Sequence, residues 1–146
     1  RYLHEWAGHD CDPQSIDVVH WNNGLWDALH VLGEDAQTPV PEYAETLRRI
    51  ARRLKKVFLN AKIVFALTTF VIEERMNPLF YRRNAEIERY NAAARAVMAE
   101  EGVLIDDLYT ASRDMSADWH AQDGTHFTEE GYRALARVVA DCLSAL

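Results

Sequence analysis

Lys62-Ile63-Val64-Phe65-Ala66-Leu67-Thr68-Thr69 is a nearly continuous apolar run of strand length. A strand with one wet face alternates polar and apolar residues; an unbroken run fits a parallel strand covered on both faces. It predicts helices above and below, and the neighbouring sequence supplies them. On the N-terminal side Tyr43, Leu47, Ile50, Leu54 and Val57 recur at spacings of three and four, the period of a helix beginning at Glu42. Arg48, Arg49, Arg52, Arg53, Lys55 and Lys56 fill its other faces and read as a solvated surface, with cations suited to the helix C-terminus. On the C-terminal side a polar loop over 70–83 leads into a helix from Asn84 to Glu101. Ile87, Tyr90, Ala94, Val97 and Met98 point inward there, and Gly102 ends it.

Two further strands flank this unit. Ile16-Asp17-Val18-Val19-His20-Trp21 is β-branched and aromatic, and it delivers the chain into Asn22-Asn23-Gly24. A long connection follows, closed by Pro39-Val40-Pro41. Val103-Leu104-Ile105-Asp106 is a short third strand. Thr128 is placed to cap a last helix, with Glu129 and Glu130 in its first turn and Tyr132, Leu135, Val138, Val139 and Cys142 inward. At the front, residues 1–8 read as a helix stopped by Gly8, and 9–15 as a loop. Strands alternating with helices predict an α/β fold: three layers, α/β/α, around a parallel sheet, with residues 1–146 forming one domain. Three strands make a thin sheet. The strand at 16–21 is expected at a bare edge, where it invites either a segment preceding Arg1 or a second copy of the chain.

Composition narrows the function classes. A length of 146 residues fits one core, and 49% apolar with 27% charged residues is ordinary for a globular chain. Sixteen basic against 23 acidic residues leave a net charge of −7, which argues against a nucleic-acid backbone as partner. No apolar run approaches the roughly 20 residues of a membrane span. The opening Arg1-Tyr2-Leu3-His4-Glu5-Trp6 resembles the middle of a helix rather than a signal peptide, so the compartment stays undecided. Cys11 and Cys142 have no CxxC spacing; Cys142 is expected as a buried free thiol, Cys11 as an exposed one, neither catalytic. The six histidines show neither HExxH nor clustered ligand spacing, and no metal or other cofactor is expected.

In covered parallel sheets, function collects beyond the carboxyl ends of the strands. Here that means 22–27, 68–83 and 107–126. The last of these contains Asp123-Gly124-Thr125-His126, an acid and an imidazole three residues apart with a glycine to turn the chain between them. Such an Asp can accept from the His Nδ1–H, fix the tautomer and leave Nε2 free as a general base. Taken alone, the pair reads equally as a satisfied surface histidine near a helix start. Asn22-Asn23-Gly24 reads as a turn as readily as a binding loop. Arg82 and Arg83 are expected as a solvated helix start, with holding an anionic leaving group or lining the pocket mouth as the alternatives; Trp21 and Trp26 are expected as wall or core rather than substrate platforms.

Several of these blocks resemble one family, the SGNH (GDSL-type) hydrolases. Asp123-Gly124-Thr125-His126 looks like its DxxH block, and 17–27 resembles its strand and GxND block. Arg82-Arg83-Asn84, Tyr90-Asn91, Gly102-Val103 and Asp106-Asp107-Leu108-Tyr109 look like the run between them. The resemblance covers nearly the whole chain. It implies a flavodoxin-like topology with a five-stranded parallel sheet and a serine esterase or lipase, possible carbohydrate acetylesterases included. His126 would be the base, Asp123 its orienter, and the Asn22-Asn23-Gly24 turn part of the oxyanion hole. The sequence departs from the family twice. No GDS-like motif exists, since Ser15, Ser112, Ser116 and Ser144 follow no strand, so the nucleophile is expected outside this chain. Trp26 also stands where the family has its GxND asparagine, leaving Asn22 or Asn23 as replacement donor. The competing expectation is a non-catalytic α/β pseudoenzyme or binding module.

Overall fold

The structure, a computed structural model, describes residues 3–10 and 12–146. In chain order it comprises α1 (Leu3–Asp10), β1 (Val18–Asn22), β2 (His30–Val31), α2 (Val40–Val57), β3 (Lys62–Ala66) and β4 (Phe80–Tyr81). Then follow α3 (Asn84–Glu101), β5 (Leu104–Asp106), α4 (Leu108–Arg113) and α5 (Glu129–Ser144). The apolar run at 62–69 contains the central strand. β3 pairs in parallel with β1 on one side, Val18 opposite Lys62 through Asn22 opposite Ala66. On its other side it pairs with β5, Val64 opposite Leu104 through Ala66 opposite Asp106. Ile63, Val64, Phe65 and Ala66 are all buried, as an unbroken apolar pattern requires. β1 and β5 are the two edges, and the residues of β1 are only half-buried or exposed.

Strand alternation sorts the side chains into two faces. Val19, Trp21, Ile63, Phe65 and Ile105 face the main core with Tyr43, Leu47, Ala51 and Leu54 of α2 and Ile87, Tyr90, Ala94, Val97 and Met98 of α3. The other face carries His20, Val64, Ala66, Leu104 and Asp106, with α5 packed along β5. There His20 Nε2 meets Asp106 Oδ2 at 2.8 Å across the central strand. The three-layer α/β/α architecture and the parallel order therefore match the sequence expectation.

Several local expectations are corrected. α1 runs through Gly8 to Asp10, so Gly8 does not stop it; the reading of Cys11 falls outside the described residues. α2 starts at Val40, using Pro41 in its first turn, where a missing N–H costs nothing. The loops at 24–39 and 70–83 contain β2 and β4, an antiparallel pair of two residues each, too short for any periodic signal. The basic face of α2 is not simply solvated: Arg48 meets Glu100 at 2.7 Å, and Arg52 and Lys55 meet Glu101. α5 buries only Gly131 and Leu135; Val138, Val139 and Cys142 are half-buried and Tyr132 is 51% exposed. Cys142 is a free thiol as expected, but it is not fully buried.

Each large side chain fully buried at β3 contributes about 1.5–3 kcal/mol. Phe65→Ala should lower the unfolding free energy by about 3–5 kcal/mol in urea titrations. Leu104→Ala, on the half-exposed outer strand, should cost about 1 kcal/mol. Equal losses at the two positions would contradict β3 as the packing centre.

Candidate active site

Beyond β3 the chain turns into a buried loop, and buried backbone amides need partners. Side chains from the next two helices provide them. Asn91 brackets Thr68: its Oδ1 accepts from Thr68 N (3.0 Å) and its Nδ2 donates to Thr68 O (2.9 Å). Asn84, seven residues earlier on the same helix face, does the same for Val71, at 3.0 and 2.9 Å. Ser112 of α4 accepts from Phe70 N at 2.9 Å. So fixed, the loop grips two others. Thr68 Oγ1 donates to Asn23 O, and Ile72 N donates to Gly124 O at 2.8 Å.

Gly124 has φ +72°, and a Cβ there would run into the Ile72 carbonyl oxygen. Only glycine lets the 121–126 turn lie this close to the loop. The turn forms the Asp123–His126 pair. Asp123 Oδ2 accepts from His126 Nδ1 at 2.6 Å, while Oδ1 accepts from the backbone amides of Thr125 and His126, both at 2.9 Å. Partial burial pushes the Asp123 pKa up, but the hydrogen bonds from the His126 ring and from the two amides outweigh it, holding the carboxyl at about 2. With Nδ1 donating, the lone pair lies on Nε2, which has no hydrogen-bond partner among the described residues. The His126 side chain is 66% exposed.

His126 and Asp123 share a cleft of about 380 Å³ with Leu25, Trp26, Phe80 and Arg82. Asn22, Asn23 and Gly24 line a second, adjoining cleft together with Thr68 and Thr69; Leu25 and Trp26 form the wall common to both. The sequence-predicted residues are thus brought to one end of the sheet, but into two neighbouring clefts. Gly24 has φ +134° and lies against Thr68 Oγ1 and Tyr43 OH, where a side chain would clash. Asn22 is exposed, and Asn23 Oδ1 is buried without a hydrogen-bond partner.

None of the four serines lines the His126 cleft. Ser112 is fully buried in the loop network, and Ser15 and Ser116 serve short helical turns. Arg82 overturns its expectation: it is 5% exposed and lines the cleft, while Arg83 is exposed. Trp21 is partly buried against Phe65, but Trp26 is 69% exposed at the cleft wall. Sequence reasoning also missed Asn84, Asn91 and Ser112 as supports. A buried asparagine on a helix's inward face at i and i+7 was the available signal.

These features define a three-layer α/β/α protein with its polar chemistry gathered beyond the carboxyl ends of a parallel sheet. Its sequence places it further. The profile of the GDSL-like lipase/acylhydrolase family matches residues 5–134, and the chain belongs to that family. It is 24% identical over 135 residues to a GDSL esterase/lipase from Oryza sativa subsp. japonica, covering 86% of this chain and 52% of that protein. The chain thus spans about half the length of the curated relative it matches. Among solved structures it resembles a lipase/acylhydrolase from Enterococcus faecalis, with TM-score 0.74, 20% identity, and coverage of 97% of this chain and 68% of that one. It also resembles an acetylxylan esterase from Geobacillus stearothermophilus, with TM-score 0.66, 18% identity, and coverage of 94% and 64%.

Two outcomes follow from this geometry. Asn91→Leu strands both backbone polar groups of Thr68 and should cost about 2–6 kcal/mol in chemical denaturation, at about 1–3 kcal/mol for each orphaned group. A loss under about 1 kcal/mol would show that the loop has other supports. Asp123 has a folded pKa depressed from its ordinary 3.8. Its stabilising contribution is therefore complete above the ordinary value and lost as pH falls through about 2. Carboxyl-carbon titration by NMR should place the Asp123 midpoint near 2; a midpoint near the ordinary value would mean the pair is not formed.

Proposed function

We propose that this chain carries the base and orienter of a serine ester hydrolase. One observation supports the reading most strongly: on a family fold, Asp123 holds His126 by Nδ1 and leaves Nε2 open to a cleft. The nucleophile is a serine outside residues 1–146, since no serine of the described residues lines the cleft. Its hydroxyl oxygen attacks the ester carbonyl carbon as Nε2 takes the hydroxyl proton. The Asp123 carboxylate stabilises the imidazolium. Collapse of the tetrahedral intermediate breaks the bond to the alcohol oxygen, which takes the proton from Nε2 and leaves. Water then attacks the acyl-serine carbonyl as Nε2 again accepts the proton; collapse of this second intermediate breaks the bond to the serine oxygen, which takes the proton from Nε2, and the acid leaves. The Asn22-Asn23-Gly24 turn, anchored to Thr68, supplies an oxyanion donor from the adjoining cleft.

Short acyl esters, including acetyl groups on carbohydrates, are the proposed substrates. The fold shared with an acetylxylan esterase supports this class. The absence of a serine in the cleft also favours a second reading, a binding module that never had one. In the longer protein carrying the serine, His126→Ala should lower kcat/KM for a chromogenic acetate ester by about 10²–10⁴-fold or more. Unchanged turnover would remove His126 from the mechanism. A coding sequence with no strand ending in Gly-Asp-Ser upstream of Arg1 would favour the binding module.

A further inference from the structure

Arg82 sits in the His126 cleft as a buried cation. It is 5% exposed, and among the described residues no carboxylate lies within salt-bridge distance of it. Buried guanidinium groups are normally paired, because removing the charge from water is costly. Among the described residues Arg82 has one side-chain hydrogen bond, from Nε to the Leu25 carbonyl, and its two terminal nitrogens have none. Trp26 and Phe80 stand over it, with ring centroids 5.8 and 5.9 Å from its Cζ. These contacts hold the guanidinium in place and offset part of its desolvation.

Asp123, the nearest acid in the cleft, has both oxygens committed to the His126 ring and to two backbone amides. It reaches Arg82 only through its field, which offsets part of the downward push of burial on the guanidinium pKa. The other arginine of the cleft, Arg75, donates to the carbonyls of His120 and Ala121. Two arginines against one aspartate leave this lining with one surplus positive charge, in a chain whose net charge is −7. Beside the charge lies an apolar wall, with Trp26 69% and Phe80 42% exposed and their rings edge-to-face at 6.0 Å.

We propose that this cleft is a specificity subsite for esters bearing a carboxylate, with the terminal nitrogens of Arg82 as its receptor and Trp26 as a stacking wall. The assignment rests on the esterase reading for what the bound molecule is for. The binding itself needs no serine and no hydrolysis. A guanidinium fork fits a planar carboxylate through two parallel N–H···O bonds, and an indole face suits a sugar ring or an acyl chain beside it. The carboxylate belongs either to the alcohol portion, as in a uronic acid, or to the acyl portion, as in a dicarboxylic half-ester.

The test is a binding titration of the 146-residue chain followed by NMR at the Arg82 Nε–H and the amides of Leu25, Thr125 and His126. Glucuronate carries the charge on the alcohol side and monomethyl succinate on the acyl side; glucose and dimethyl succinate are their neutral counterparts. At least one charged probe should bind about tenfold or more tightly than its neutral counterpart, and the tighter of the two assigns the side. Arg82→Gln should abolish that preference. Trp26→Ala, at an exposed position that leaves the fold intact, should weaken the preferred probe several-fold. High salt should weaken the charged probes in the unchanged chain, which keeps the test open if Arg82→Gln does not fold. Equal binding of charged and neutral probes, or a preference that survives Arg82→Gln or high salt, would overturn the proposal. An inactive His126→Ala enzyme with no carboxylate preference would leave the hydrolase reading standing and remove only this one.

Discussion

The short loop from Thr68 to Ile72 carries the arrangement. It leaves the central strand, buried from Ile63 to Ala66, with its backbone still inside the protein, where unpaired amides would each cost about 1–3 kcal/mol. Asn84, Asn91 and Ser112 meet that cost with side-chain hydrogen bonds. Because the loop is held, it can hold others: Thr68 anchors the turn after β1, and Ile72 anchors Gly124. The geometry of Asp123 and His126 thus depends on side chains of α3 and α4.

That dependence explains why glycine occupies two particular positions. Gly24 and Gly124 both have positive φ, and both lie where a Cβ would strike the loop from either side, at Thr68 and at Ile72. The two turns converge on one short stretch of backbone, one directly after β1 and the other between α4 and α5. An acid–imidazole pair on such a support keeps its geometry while the histidine itself stays exposed to the cleft.

Much of this was legible in the sequence, and the exceptions have physical causes. The unbroken apolar run at 62–69 dictated a strand covered on both faces, and the helical periods on either side supplied the layers. Asp123-Gly124-Thr125-His126 was readable because its spacing, its glycine and its place before a capped helix all agree. β2 and β4 were invisible because two residues cannot show a period. Arg82 was misjudged because a charged residue at a helix start is usually solvated, and only tertiary contacts with Leu25, Trp26 and Phe80 reveal its burial. The last helix was read as more deeply buried than it is. Its apolar stripe at 132–142 is regular, but the helix packs against β5, an edge strand of the sheet, and Tyr132 stays half-exposed.

The central claim is that Asp123 fixes His126 as the Nδ1–H tautomer with Nε2 free to accept a proton. Nitrogen-15 NMR of the His126 ring, at a pH where the imidazole is neutral, tests it directly. The account predicts a protonated, hydrogen-bonded Nδ1 and an unprotonated Nε2, with the Nδ1 proton bond weakened in Asp123→Asn. A ring protonated at Nε2, or one whose nitrogens do not respond to Asp123→Asn, would contradict it.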